Sequence, residues 1–238
     1  MTLRYAVANG VWTNPAIWDG GTVPGPGDDV HANGFSVEIY ANIEVASLRT
    51  YAASPAAAGG YFIPRASVEV CADVYGGLTS CFLVNVPGST VTLVGNCYGS
   101  DVNGWCAGAE ISANGTLNIV GNCYGGGTGF AAGCINSNTG TLNVTGNCYG
   151  GGGYWAGGVV GASGGQVNIV GNCYGGASGP GYAGWSINPL NIYGEAVGTP
   201  LSSGVAGVAI RVPGGPYFVQ IARSNDSPNG GVTVQAPG

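Results

Sequence analysis

The groups in this 238-residue chain that could ligate metal, exchange disulfides or move protons are eight cysteines, eleven acids and one histidine, His31; lysine is absent. Four cysteines recur in one context. Gly-Asn-Cys-Tyr-Gly occupies 95–99, 121–125, 146–150 and 171–175, so Cys97, Cys123, Cys148 and Cys173 follow one another at steps of 26, 25 and 25 residues. That pattern admits a metal or redox site, a disulfide framework or a structural rung. Zinc sites want closely spaced pairs of the Cys-x-x-Cys kind, and the nearest pairs here are 71/81 and 97/106. If the repeats stack as strands, equivalent Cα atoms fall within disulfide range. Parallel Cβ atoms about 4.8 Å apart nevertheless exceed the usual 3.5–4.5 Å. Reduced thiols, no metal and no cofactor are the expectation.

The acids are as sparse. Asp19, Asp28, Asp29, Glu38, Glu44, Glu69 and Asp73 precede the regular repeats, Glu195 and Asp226 follow them, and only Asp101 and Glu110 lie between 91 and 190, where no basic residue occurs. Glycoside hydrolysis needs two carboxylates at a set separation, and lyase chemistry needs a base beside metal-binding acids. A Ser-His-Asp arrangement would have to use His31, in a segment that reads as turn-rich. The chain is expected not to be an enzyme, polysaccharide cleavage being the disfavoured alternative.

The elements that must carry these residues repeat with them. Each unit opens on a short alternating segment, Val91–Val94, Leu117–Val120, Leu142–Thr145 or Val167–Val170, whose period of two marks a strand. The Gly-Asn-Cys-Tyr-Gly turn follows, then a glycine-rich stretch, an apolar patch with an aromatic (Trp105, Phe130, Trp155, Tyr182), and a second turn such as 137–140. Weaker copies flank the series: Val74 aligns with the cysteines on one side and Ala196 on the other, giving six units of 23–26 residues. Units of this length are too short for propeller blades and fit coils of a solenoid, stabilised by stacking on their neighbours. The expected fold is all-β, a right-handed parallel β-helix (β-solenoid). Residues 1–60 form an N-terminal cap and first irregular coil, 61–198 the repeat solenoid, and 199–238 a C-terminal cap or oligomerisation element of antiparallel or edge strands. In such a stack Asn96, Asn122, Asn147 and Asn172 form a ladder of side-chain amides and take the left-handed backbone of the corner. Cys97, Cys123, Cys148 and Cys173 pack inward as small hydrophobes. The outward column Thr92, Asn118, Asn143, Asn168 is too mixed for an ice-binding threonine face. The four aromatics could stack sugars, although packing in the core or an interface is the simpler role. Val94, Val120, Thr145, Val170 and Tyr193 point outward and mark an interface.

Composition excludes further classes. Glycine is 48 of 238 residues without a Gly-X-Y period, and only 7% of residues are charged. This is neither collagen nor a typical disordered chain. A net charge of −6 with five arginines argues against nucleic acid. No apolar run of about 18 residues marks a membrane span. The opening stretch lacks the apolar run of a secretory signal, so synthesis in the cytoplasm is expected.

The segment Trp12-x5-Trp18, Val23-Pro24-Gly25 and Gly27-Asp28, followed by the Gly-Asn-Cys-Tyr-Gly-Gly coils, resembles the β-helix proteins of tailed bacteriophages, over most of the chain. The resemblance implies a homotrimer on the virion. It would be either a capsid decoration (cement) protein on the shell exterior, partnered by the major capsid protein, or a tail fibre or spike recognising host surface glycan. Spikes of that kind are usually longer, with an anchoring head and acidic clefts, so decoration is the expected role. Trp12, Trp18, Asp28 and Asp29 are the candidates for capsid contact.

Overall fold

A computed structural model describes residues 2–50, 59–101, 107–127, 131–152, 157–161, 165–175, 184–186, 190–197, 210–211, 219–225 and 234–235. It is a parallel β-solenoid with turns of about 25 residues. Two parallel sheets form its walls. The second, of ten strands, runs the length of the described chain. The first contains two ladders side by side. One stacks Thr90–Val94, Thr116–Val120, Thr141–Thr145 and Gln166–Val170; the other stacks Cys97–Tyr98, Cys123–Tyr124, Cys148–Tyr149 and Cys173–Tyr174. The ladders merge at both ends, where Glu69–Tyr75 and Leu190–Val197 each run unbroken through both. The sequence shows why: the first of these coils has Ala72-Asp73 where the regular coils have Gly-Asn, so the bend is absent.

Register follows the repeat residue for residue. Val74 pairs with Cys97 and Cys173 with Ala196, as the weak copies require. Inward residues make continuous columns, Val91-Leu117-Leu142-Val167 and Leu93-Ile119-Val144-Ile169, all at most 1% exposed. The cysteine column is fully buried beside them. All seven described cysteines are free thiols.

Within residues 1–60, Leu3–Tyr5, Asp29–His31 and Ile43–Arg49 continue the first sheet, in parallel. Trp12 and Trp18 lie edge to face with centroids 5.0 Å apart, and Trp12 packs toward Phe62, so large rings close the end of the core. Ile210–Arg211, Val219–Asn225 and Val234–Gln235 pair in parallel, not antiparallel, with the coils before them. Pro213 and Pro216 misled the reading there; they lie outside the described strands. The predicted aromatic column Trp105, Phe130, Trp155 and Tyr182 lies outside the described residues.

Glycine at the first corner is a steric necessity. A Cβ on Gly95, Gly121, Gly146 or Gly171 would sit 2.0–2.1 Å from a carbonyl oxygen of the preceding coil. At Gly25 it would meet nothing within 4 Å. Gly146→Ala is therefore expected to cost about 1–3 kcal/mol, as overpacking does, with a lowered melting temperature by circular dichroism. Gly25→Ala should melt like the wild type; similar melting of both variants would contradict the close approach.

Candidate functional site

Three features present chemistry at the surface: the corner column, the outward face beside it and the N-terminal end.

At the corner the chain turns from one ladder to the next, and its amides must still find partners. Gly95 and Cys97 donate to carbonyls of the following coil, Val120 and Asn122, at 3.1 and 2.8 Å. The N–H of Asn96 between them instead points to the preceding coil, where Asp73 Oδ1 accepts it at 2.7 Å. The same bond recurs upward: Asn122 N–H to Asn96 Oδ1 (2.9 Å), Asn147 to Asn122 (2.8 Å) and Asn172 to Asn147 (2.9 Å). The predicted ladder is thus real in its residues but different in its bonding, because side chain meets backbone rather than side chain. The asparagines also do not carry the left-handed backbone. Among described non-glycine residues only Asn33 has positive φ, and the preceding glycines absorb the bend. The spare amide N–H groups of Asn147 and Asn172 donate to the hydroxyls of Tyr149 and Tyr174.

Those tyrosines belong to a column that the sequence reading passed over. Tyr75, Tyr98, Tyr124, Tyr149 and Tyr174 stack with centroids 4.5–5.1 Å apart and planes within 12°. Arg49 lies 3.8 Å from the centroid of Tyr75 and covers the end of the stack, a cation–π contact. The signal was present in the motif, since the residue after every cysteine is tyrosine. Stacking occupies the ring faces, so edges and hydroxyls are what the column offers outward. Burial first, then the Asp73 carboxylate and neighbouring tyrosines, push the Tyr98 phenol up to about 12. Beside the stack runs a groove lined by Arg49, Tyr75, Tyr98, Asp101 and Tyr124, with Gly76, Gly99 and Gly125 between them.

The outward face of the other ladder carries the side-chain amide ladder expected at the corner. Asn143 donates to Asn118, Asn168 to Asn143 and Asn191 to Asn168, at 2.7–2.8 Å. Flanking it is the predicted outward stripe: Val94, Val120 and Val170 are 38, 47 and 52% exposed, Tyr193 is 56%, and Thr145 is exposed in register between Val120 and Val170.

The N-terminal candidates are placed differently from expectation. Trp12 and Trp18 are 4 and 2% exposed, and the Trp18 indole N–H donates to Trp12 O at 2.8 Å. They support the end of the core from beneath. Asp28 accepts from Gly25 N–H at 3.0 Å and lies 3.8 Å from Arg4. Asp29 accepts from the Ser47 hydroxyl and from Arg49 Nε at 2.9 Å. These acids tie strands together. What the end does present is an open cleft of about 320 Å³ between Val11, Thr13, Pro24, Pro26, Tyr40 and Ile43, with Trp12 in its wall.

The possible catalytic groups are likewise engaged. His31 is in a strand, buried, with Nε2 3.5 Å from Asp29 Oδ2. Ser47 bonds the same carboxylate. Serine and histidine thus converge on the acid, whereas nucleophile activation needs the histidine between the other two. Glu110 accepts from Ser80 and Ser137 at 2.5 and 2.8 Å, and Asp101 from Gly127 N–H at 2.9 Å. Among the described residues, no three metal-ligating side chains cluster.

Two measurements follow from this bonding. Asn147→Ala removes the side-chain oxygen 2.9 Å from the part-buried Asn172 N–H, a loss of about 1–3 kcal/mol. Asn143→Ala breaks ladder bonds that water replaces, and should cost less, about 0.5–1.5 kcal/mol; coincident thermal melts would sink the distinction. For Asp29, burial raises the pKa, but the Ser47 and Arg49 hydrogen bonds and the Arg49 charge outweigh it and hold the carboxyl below its ordinary 3.8. A lowered folded pKa contributes stability that is complete above the ordinary value and is lost as pH falls through the folded one. Denaturant unfolding should therefore show Asp29→Asn weaker than wild type at neutral pH, with the gap closing as the pH falls below the ordinary 3.8. A gap independent of pH would exclude the charge as its source.

No protein-family model matches the chain, and neither a curated protein nor a solved structure is significantly similar to it.

Proposed function

We propose that the chain is a structural, non-catalytic protein of a tailed-phage particle, a homotrimer that decorates the capsid exterior and stabilises the shell by binding the major capsid protein. The observation that carries this reading is the flat outward face. Over four consecutive coils it bears threonines, Gln166, the amide ladder and the stripe Val94-Val120-Thr145-Val170, with no charged side chain. Contiguous β-branched residues at the surface mark an interface. Copies related by rotation about an axis parallel to the solenoid would bring each stripe residue against its equivalent at the same height. At about 4.8 Å per strand, the ten-stranded wall makes a flank roughly 43 Å tall. The end cleft around Tyr40, Pro24 and Pro26 then supports contact with the shell at one end of the trimer.

The groove of Arg49, Asp101 and tyrosine edges favours a second reading, a receptor-binding fibre or spike domain that holds host glycan by polar contacts.

Because Trp12 and Trp18 are core residues, point changes test the proposal better than truncation. Val120→Lys combined with Val170→Lys puts charge on the stripe of every copy. Light scattering should show the trimer replaced by monomer at an unchanged circular dichroism spectrum. Co-sedimentation with undecorated capsids should fall at least tenfold. A wild-type protein that is monomeric, or that binds host polysaccharide and not capsids, would put the receptor-binding reading in its place.

A further inference from the structure

The core carries a column of thiols on its first wall, and on its second wall the register names one sulfur facing it. Opposite Cys97, Cys123, Cys148 and Cys173 stand the paired residues Ala109, Cys134, Val159 and Gly184, in that order. In equivalent positions Cys97 has Ala109, Cys148 has Val159 and Cys173 has Gly184. Among the described residues, only the coil of Cys123 places a thiol on both walls. There Cys134 Sγ lies 3.0 Å from Cys123 Sγ, and both residues are fully buried.

This pair escapes the objection to disulfides within the column. Stacked cysteines on neighbouring parallel strands have Cβ atoms held at the strand spacing, too far for an unstrained bond. Cys123 and Cys134 belong to Cys123–Tyr124 and Ala132–Asn136, strands of one coil in different sheets, so strand spacing does not fix their separation. We propose that Cys123 and Cys134 are the site of a cross-core disulfide that staples the two walls of the solenoid within one coil. The oxidant is a small-molecule disulfide of the glutathione class. One cysteine thiolate attacks it and expels a thiol, and the second thiolate displaces the other half. Two protons and two electrons leave the protein, one S–S bond forms, and two small thiols are released. Exchange requires a thiolate. Burial holds the Cys134 thiol well above its ordinary pKa, so the bond forms while the coil is still closing. The inference is independent of the particle role proposed above.

The test is a disulfide map. Reduced, denatured wild type is refolded in mixed oxidised and reduced glutathione. Free thiols are then blocked with N-ethylmaleimide in denaturant, and the protein is digested with pepsin in acid, where exchange is suppressed. Mass spectrometry should find Cys123 linked to Cys134 and the other six cysteines alkylated. Cys134→Ala should lose the linked species, and Cys148→Ala should keep it. The same map on protein exported to an oxidising compartment, never refolded, should give the same pair. Eight alkylated cysteines under both conditions, or linkage of Cys123 to Cys97 or Cys148 instead, overturns the proposal.

Discussion

The structure depends on one constraint: a strand must bend sharply at every coil without leaving an amide unpaired. A buried N–H without a partner costs on the order of 1–3 kcal/mol, and the corner recurs in each regular coil. Glycine and asparagine solve it in sequence. Gly95 and its equivalents allow the backbone within van der Waals contact of the coil below, where any Cβ would strike a carbonyl. The bend then turns the next N–H away from the backbone ladder. The asparagine of the preceding coil supplies the missing acceptor. Asp73 starts the series and needs no N–H of its own, because a carboxylate oxygen accepts as well as an amide oxygen.

Once that corner repeats, the rest follows by stacking. Each residue lies over its counterpart about 4.8 Å away, so a choice made once per coil becomes a column. A small inward residue becomes the thiol column. A tyrosine after it becomes a stack of five rings, each contact worth about 0.5–1.5 kcal/mol. An outward asparagine two residues into the strand becomes an amide ladder. Specific pairing of this kind also fixes register. A slip by one residue would turn Leu117 and Ile119 outward and separate every ladder at once.

How far the sequence could be read follows from the same logic. The period, the alternation and the alignment of Val74 and Ala196 with the cysteines were legible because each is a one-dimensional property that stacking preserves. The stripe through Val120 was legible for that reason too. Bonding was not. That Asn96 would accept from a backbone N–H and Asn118 from a side chain depends on which way the corner turns its amide, and both residues simply read as asparagine at a fixed spacing. Trp12 and Trp18 read as surface candidates since they precede the repeat, yet an open solenoid end exposes core, and the largest rings are what close it. Asp28 and Asp29 read as free acids because their partners Arg4, Ser47 and Arg49 come from other coils. The parallel strands after 210 were obscured because prolines interrupt the alternating pattern there.

Stacking also explains where charge can go. A charged residue at a repeated position would face its own kind one coil away. Two like charges at about 4 Å repel by roughly 1 kcal/mol in water and about 4 kcal/mol at the effective dielectric of a protein surface, and a column multiplies that. Alternating signs would require the repeat to be broken at every coil. The regular coils accordingly use amides, hydroxyls and aromatic edges. The ion pairs of the described residues, Arg4–Asp28, Arg49–Asp29 and Arg65–Glu38, gather within the first 65 positions, where no strict repeat holds. Among the described residues the ion pairs thus sit at one end, while the regular coils between 91 and 190 carry only the charges of Asp101 and Glu110. In the proposed assembly an in-register shaft would recognise what matches its shape and hydrogen-bond spacing, as a second copy of itself does at every coil. The irregular end is free to differ residue by residue, so in that proposal discrimination between partners falls to the end and self-association to the shaft.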